Sequence, residues 1–331
     1  MRRLRIGLLG CGTVGSGLVN LVAQERDRIR ARYGVELELG RILVRDRTKP
    51  RPGIDRQLLT TSALDVLDGD CDLVVEAVGG VHAAGSYVRR AIARRRHVVT
   101  ANKALLAATG AELFAAARRQ GVTIGFEASV CGGVPVIGAL RRGLAGDTIV
   151  GIRGILNGTS NYVLCRMDEG MSLGDAVKLA QANGFAEADP TLDISGQDAA
   201  QKLRILAELA FAEPIRKVTV IGLDKGGARP ARTHGASPPV LDDRPGRPLG
   251  AAGTAAPRMR QIAEARRVPG GIELTVEPRM LAPDDPLAQI MDEQNGVIIR
   301  GRAVGDIRLS GRGAGSLPTA AALLSDILDL T

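Results

Sequence analysis

The sequence predicts an α/β fold: a doubly wound parallel sheet followed by a second, α+β unit. Three observations predict it. Through the first third, short apolar runs alternate with stretches in which Leu, Val and Ala recur at helical spacing, the rhythm of βαβ units. A glycine-rich turn, Gly10-Cys11-Gly12-Thr13-Val14-Gly15, directly follows the first of those runs. After residue 130 the rhythm changes, and later strand candidates suit a more antiparallel sheet. The 331 residues suffice for about two domains, and 45% apolar content suffices for a sizeable core.

Taken in order, Leu4 to Leu9 and Glu36 to Val44 read as strands, followed by Asp72 to Ala77, His97 to Thr100 and Val122 to Phe126. Helical spacing runs over Ser16 to Tyr33, Gly85 to Arg95 and Gly110 to Gln120. Pro135 suits the first position of a helix reaching about Leu144, because its missing N–H would be unpaired there anyway. Thr148 to Leu156 reads as a strand. Ser172 is placed to cap a helix that stops at Asn183-Gly184, and a second long helix runs from about Ser195 to Ala212. Ile272 to Pro278 and Gly296 to Ala303 read as strands of the second sheet, and Pro318 to Leu330 as a last helix. Asp224 to Gln261 stands apart: 25 of its 38 residues are Gly, Pro, Arg or Ala, with poor apolar periodicity.

Composition narrows the function classes. No apolar run approaches the roughly 18 residues that span a bilayer, and the opening MRRLRIGLLG reads as a first strand. Cys11, Cys71, Cys131 and Cys165 are too scattered for a disulfide framework or zinc knuckle and fit a reducing cytoplasm. His82, His97 and His234 form no ligand pair at helical spacing. The formal charge of +8 raises nucleic acid as a partner. Against it, only 2% of residues are aromatic, and the cations are almost all Arg, a chain-wide preference and not a patch.

The glycine turn carries a mechanism. Gly10 permits the tight turn, Gly12 has no side chain to hold a pyrophosphate off the backbone, and Gly15 allows close helix–strand packing. Thr13 and Val14 open a helix whose N–H groups would face the phosphates. This is the pattern of a Rossmann-type sheet binding NAD or NADP. At the end of the second strand, Asp46 suits a ribose 2′-hydroxyl, whereas Arg45, Arg47 and Lys49 suit a 2′-phosphate or simply form a solvated charge run; the balance leans to NADP.

Only six of the 44 cations are Lys, so each Lys stands out. A compact ammonium whose pKa shifts on desolvation donates a proton where a guanidinium does not. Thr100 and Lys103 lie at a strand's C-terminal edge, where open α/β sheets bind ligands. Lys202 follows Asp198 by four residues on one helix face; the plain alternative is an ordinary ion pair worth about 0.3–0.5 kcal/mol. Lys178 and Lys217 read as surface charges. Glu187, Asp189, Asp193 and Asp198 crowd four carboxylates into twelve residues. Such crowding calls for cations, which a substrate ammonium beside Lys202 would supply.

With these motifs the chain resembles the homoserine dehydrogenase family. The matches are GCGTVGSG at 10–17, VTANKALLA at 99–107, FEASVCGGVPVI at 126–137, GILNGTSNYVL at 154–164, GFAEADPTLDISGQDAAQKL at 184–203 and GRGAGSLPTA at 311–320. The resemblance implies NAD(P)H-dependent reduction of L-aspartate 4-semialdehyde to L-homoserine, on the route to threonine and methionine. It implies a dinucleotide-binding domain at 1–135, a substrate and dimerisation domain at 136–304, and a segment at 305–331 that returns to the first domain. It casts Lys202 as proton donor with Asp198 beside it, and Lys103 near the nicotinamide. Glu187 and Asp193 would hold the substrate's amino group and a water network, and Asn157-Gly158-Thr159 would form a substrate-side loop. Glu127 with carbonyls around Val130, Gly132 and Val134 would hold Na⁺ or K⁺, and Gly315, Pro318 and Thr319 would close on the cofactor. A homodimer is implied, with no nucleic-acid or membrane partner.

Two other readings fit the same residues: an oxidoreductase of another small amino-acid aldehyde, or an NAD(P)-binding protein impaired in turnover. Comparison of kcat/KM across aldehydes separates the first. Two departures from the family pattern stand out. The sequence runs to Thr331, without the amino-acid-binding regulatory domain of longer members, so weak threonine feedback through such a domain is expected. Residues 224–261 replace helices that lead to an apolar run in the family; a local change of reading frame would produce this, and the expected outcome is a loose excursion that weakens packing. Cys131 is expected to be packing and not a nucleophile.

Overall fold

The computed structural model describes residues 1–224 and 256–330. In chain order, the first layer is β1 (Arg2–Leu9), α1 (Thr13–Gln24), α2 (Arg26–Tyr33), β2 (Val35–Leu43), β3 (Leu59–Thr60), α3 (Ala63–Leu67), β4 (Leu73–Glu76), α4 (His82–Ala93), β5 (His97–Thr100), α5 (Lys103–Gln120) and β6 (Ile124–Gly125). All paired neighbours are parallel, in the order β3-β2-β1-β4-β5-β6. That is the doubly wound arrangement, whose order reverses beside β1 and leaves a ligand crevice at the strand C-termini. Strands covered on both faces need continuous apolar runs, and Ile6, Leu8, Leu9, Leu73, Val74 and Val75 are fully buried.

The second layer follows α6 (Val136–Gly138): β7 (Ile149–Ile155), α7 (Gly158–Asp168), α8 (Leu173–Ala182), α9 (Thr191–Ile194), α10 (Gln197–Ala210), β8 (Ile215–Val220), β9 (Arg258–Val268), β10 (Gly271–Leu281), β11 (Gln294–Gly301) and β12 (Gly305–Arg312). Their order is β12-β11-β7-β9-β10-β8, antiparallel except where β8 joins β10 in parallel. Along α10, Leu203 and Leu206 meet Ala263, Leu274, Val276, Val297 and Ile299 of the sheet in one core. The last helix, α11 (Ser316–Asp329), packs on α1; Ala320, Leu323, Leu324 and Ile327 share a core with Leu8, Leu18 and Val22.

Several expectations change in detail. The helix expected over Ser16 to Tyr33 starts at Thr13 and breaks at Glu25, whose backbone (φ −94°, ψ 6°) leaves the helical region. The helix expected from Gly110 begins at Lys103, because Asn102 caps it by accepting from the Leu105 N–H. Pro135 is not a first helical residue: at φ −78°, ψ 60° it centres an inverse γ-turn in which Val136 N donates to Val134 O at 2.7 Å. The helix behind it is a single turn running into a wider turn over Ala139–Gly143. Residues 305–312, expected to begin the return, are the outer strand of the second sheet, and the return itself is α11.

The loose excursion expected over 224–261 does not hold for its last residues. Arg258–Gln261 open β9, with Arg260 and Gln261 buried, because Asp168 and Ser160 give those polar side chains partners inside the sheet layer. Residues 225–255 lie outside the described residues.

Candidate active site

The cofactor end is built at the tip of β1. Gly10 adopts φ +97°, and a Cβ there would lie 2.6 Å from Ala77 O; at Gly15 it would lie 2.2 Å from Gly10 O. Both positions therefore require glycine for packing. At Gly12 nothing comes within 4 Å, so its face is open to a ligand. Gly12 is also the N-cap of α1 and makes no side-chain cap, which leaves the first-turn N–H groups of Thr13 and Val14 free of one. The N-terminus of α11 arrives beside it: Ser316 Oγ donates to Thr13 O at 2.9 Å, and its N-cap Gly315 (φ +112°) likewise makes no side-chain cap. Thr319 N donates to Gly315 O within that first turn. Two partial positive helix ends thus converge where a pyrophosphate would sit. The residues present fit a dinucleotide.

At the β2 end, Arg45 is exposed, whereas Asp46 is engaged locally. Its Oδ1 accepts from Thr48 N (2.7 Å) and Thr48 Oγ1 (2.6 Å), bonds that lower its pKa. A residue that sequence reasoning passed over, Arg51, donates to Asp46 O and Lys49 O and reaches Cys11 O of the glycine turn at 3.4 Å. It ties the ribose end to the phosphate end; in the sequence it was one Arg among many.

Thr100 is placed inside and not toward a ligand: its hydroxyl donates to the buried Glu76 Oε2 at 2.6 Å and accepts from Asn102 N. Glu76 also accepts from Val78 N and Gly79 N. This network, unread in the sequence because Glu76 ends an apolar strand, fixes the start of α5 and hence Lys103.

Asp198, in the first turn of α10, is where the two layers meet. Its Oδ1 pairs with Lys103 Nζ at 2.9 Å and its Oδ2 with Lys202 Nζ at 2.8 Å. Burial alone would raise its pKa; the two ammonium groups and the Asn157 amide outweigh burial and hold it far below the usual carboxylate range. The same contest runs the other way at Lys202, where burial opposes charge and the Asp198 carboxylate overcomes it, so the ammonium pKa lies above the usual lysine value. Lys202 Nζ also donates to Leu156 O at 2.8 Å. Two of its three N–H bonds therefore have partners among the described residues. The plain surface ion pair that the i, i+4 spacing allowed is ruled out by this burial and by the second lysine.

Asn157 clamps the acids. As N-cap of α7 it accepts from Ser160 N, and its Nδ2 donates to Asp193 Oδ1 (2.6 Å) and Asp198 Oδ2 (2.8 Å). Behind it, Ser160 Oγ bonds Asn157 O and Gln261 Oε1, a support unread in the sequence because Gln261 fell in the atypical stretch. Gly158 lets the backbone pass: a Cβ would lie 2.4 Å from Glu293 O. Thr159 Oγ1 donates to Phe185 O and so anchors the acidic turn. Asp193 is half-buried, and burial raises its pKa. Glu187 is exposed, and the bond that reaches it, from Gln181 Nε2, goes to its backbone carbonyl.

The cation candidates flank Cys131, which interacts electrostatically with both Lys202 and Glu127. Glu127 is buried, which raises its pKa, and its two carboxylate oxygens accept from Ile137 N (2.8 Å) and Gly138 N (2.7 Å). Val134 O accepts from Val136 N, Val130 N donates to Glu127 O, and Gly132 (φ +36°) packs against Gly313 O. Cys131 is buried and its thiol is pushed up to about 12, so it is no nucleophile at neutral pH.

A dinucleotide-type sheet edge that meets a buried, doubly ion-paired carboxylate defines an NAD(P)-dependent oxidoreductase. The family model described as homoserine dehydrogenase matches residues 135–328, and that described as homoserine dehydrogenase, NAD binding domain, matches 10–127. The chain is 38% identical to the homoserine dehydrogenase of Bacillus subtilis (strain 168) over 99% of this chain and 73% of that one. It superposes on the structure of a homoserine dehydrogenase from Thiobacillus denitrificans with a TM-score of 0.85 and 38% identity, covering 100% of this chain and 73% of the other. It is also similar to a hyperthermophilic archaeal homoserine dehydrogenase in complex with NADPH (TM-score 0.78, 26% identity, 99% and 97% covered). The chain belongs to the homoserine dehydrogenase family.

Proposed function

We propose that this chain interconverts L-aspartate 4-semialdehyde and L-homoserine with Lys202 as the proton donor, supporting threonine and methionine synthesis. The observation that carries the assignment is the Lys202 ammonium, buried yet kept charged by Asp198 at 2.8 Å. The dinucleotide, when bound, supplies the hydride. As charge develops on the aldehyde oxygen, the third N–H of Lys202 stabilises it and then transfers its proton, while Leu156 O and Asp198 keep Nζ in place. Lys103 holds the other oxygen of Asp198 and orients it. Asp193 and Glu187 receive the substrate ammonium, and the Asn157–Thr159 turn shapes that side.

NADP is the preferred cofactor in this reading. Asp46 is occupied by Thr48, while Arg45, Arg47, Lys49 and Arg51 supply positive charge for a 2′-phosphate. Glu127 with the carbonyls of Val130, Gly132 and Val134 is the seat of Na⁺ or K⁺. The Glu127 carboxylate and Val134 O already accept N–H bonds, which suits a weakly held monovalent ion better than a divalent one. The dinucleotide domain spans 1–135, the substrate and dimerisation domain runs from 136 through β12, and the returning segment is α11. Two copies pair through the second sheet in the cytoplasm.

The test is homoserine oxidation followed by reduced-nicotinamide absorbance, first with NADP and then with NAD. Homoserine-dependent reduction, faster at low cofactor concentration with NADP, is expected. Cofactor binding without turnover on homoserine would overturn the reaction, and equal kcat/KM for the two cofactors would overturn the preference.

A further inference from the structure

Away from the reaction centre, a cavity of about 620 Å³ opens between α5 and α10. That is a volume typical of small-molecule sites, which favour seams between domains. Its wall includes Leu106, Leu209 and three of the chain's four phenylalanines, Phe114, Phe126 and Phe211. Phe114 and Phe126 pack against each other in a tilted arrangement, 5.0 Å between ring centres and 52° between ring planes, as part of the apolar wall.

Four charged residues also line it, and they are not equivalent. Glu208 accepts from Arg204 at 3.0 Å, and Glu213 is paired with Arg267, whose guanidinium lies over Phe211. Neither Arg118 nor Arg141 makes an ion pair among the described residues, although Arg141 interacts electrostatically with the buried Asp326; Arg141 lies over the Phe126 ring at 5.7 Å. The cavity charges left without an ion pair are therefore positive, beside an aromatic wall.

We propose that this cavity is a second ligand site that takes a small amphipathic carboxylate, with an apolar chain against the phenylalanines and a carboxylate on Arg118 and Arg141. Guanidinium groups recognise carboxylates with charge-assisted hydrogen bonds, which neither an amide nor an amine reproduces. The site is placed to affect turnover. Leu106 lies one turn beyond Lys103 on α5, and Ile205, another wall residue, lies one turn beyond Lys202 on α10. The two helices are joined at their N-termini by the Lys103–Asp198 pair. A ligand that wedges the helices apart moves Lys103 relative to Asp198.

Octanoate, octanamide and octylamine, titrated calorimetrically into the whole chain with saturating NADPH and homoserine absent, test the site without relying on turnover. Octanoate is expected to bind at one per chain, about tenfold or more tighter than either analogue. The exposed double substitution R118Q/R141Q is expected to weaken octanoate about tenfold while leaving octanamide affinity and Tm unchanged. In the wild type octanoate is also expected to change kcat or the KM for homoserine, an effect lost in the double variant. Equal binding of the three probes, undiminished binding to the double variant, no saturable heat, or displacement of octanoate by homoserine would each overturn the proposal.

Discussion

At the scale of single residues, the site turns on one carboxylate. Asp198 shares its oxygens between two lysines that come from different layers, and its charge is what keeps Lys202 protonated despite burial. Replacing it separates the two influences. In Asp198→Asn the burial of Lys202 persists while the compensating charge is gone, so the Lys202 pKa falls. The alkaline limb of the kcat–pH profile for aldehyde reduction should move to lower pH than in the wild type, and an unmoved limb would contradict the coupling. For stability the signs are separate. The raised Lys202 contributes below its unfolded pKa of about 10.4, a contribution lost as pH rises through the folded value. The depressed Asp198 contributes above about 3.9, a contribution lost as pH falls through its folded value. Asp193 differs, since burial raises its pKa, so it protonates on acidification before an ordinary carboxylate does. The KM for homoserine should rise on that limb with kcat held, and Asp193→Asn should raise KM at every pH and flatten the limb. Lys202 and Asp198 were legible because lysine is scarce here and acids crowd around it. Arg51 and Glu76 were not, because neither an Arg in an Arg-rich chain nor a Glu closing an apolar strand carries a local mark of its partners.

At the scale of elements, the glycine turn was legible because each glycine answers to a different steric demand. Those demands make opposite predictions. Gly12→Ser adds a good N-cap residue where nothing lies within 4 Å, so stability should stay within about 0.5 kcal/mol of wild type. NADPH affinity should drop at least about tenfold, because the side chain stands where the pyrophosphate approaches. Gly15→Ala instead forces Cβ to 2.2 Å from Gly10 O, costing about 1–3 kcal/mol and lowering both Tm and cofactor binding. Thermal melts with NADPH titrations distinguish the two patterns, and equal loss of stability in both variants would contradict the steric account. Other elements hid from the sequence for identifiable reasons. The start of α5 is set by a side-chain cap from Asn102, which periodicity does not register. β9 begins with Arg258-Met259-Arg260-Gln261, a polar opening made tolerable only by Asp168, Ser160 and the neighbouring strand, none of them adjacent in sequence.

At the scale of the whole molecule, the reaction centre lies on a seam. Lys103 comes from the first layer and Lys202 from the second, and α11 crosses back from the second sheet to brace α1. Leu323, fully buried in that brace, makes the crossing testable at a distance from any ligand. Leu323→Ala should cost about 2–5 kcal/mol and also weaken NADPH binding, because α11 brings its N-terminus beside that of α1. Destabilisation without any loss of NADPH affinity would show that α11 serves the core alone. The two-layer plan itself was legible from the change of rhythm near residue 130, since parallel and antiparallel strands bury different numbers of faces. The crossing of α11 came from the family resemblance, which returns the C-terminal segment to the first domain, and not from composition or periodicity, because the pairing of α11 with α1 spans nearly the whole chain.

The most direct test of the account is Lys202→Ala, measured for aldehyde-dependent NADPH oxidation and, separately, for NADPH affinity. The account predicts kcat lower by roughly 10²–10⁴-fold with NADPH binding within about threefold of wild type. A variant that turns over at the wild-type rate would contradict it.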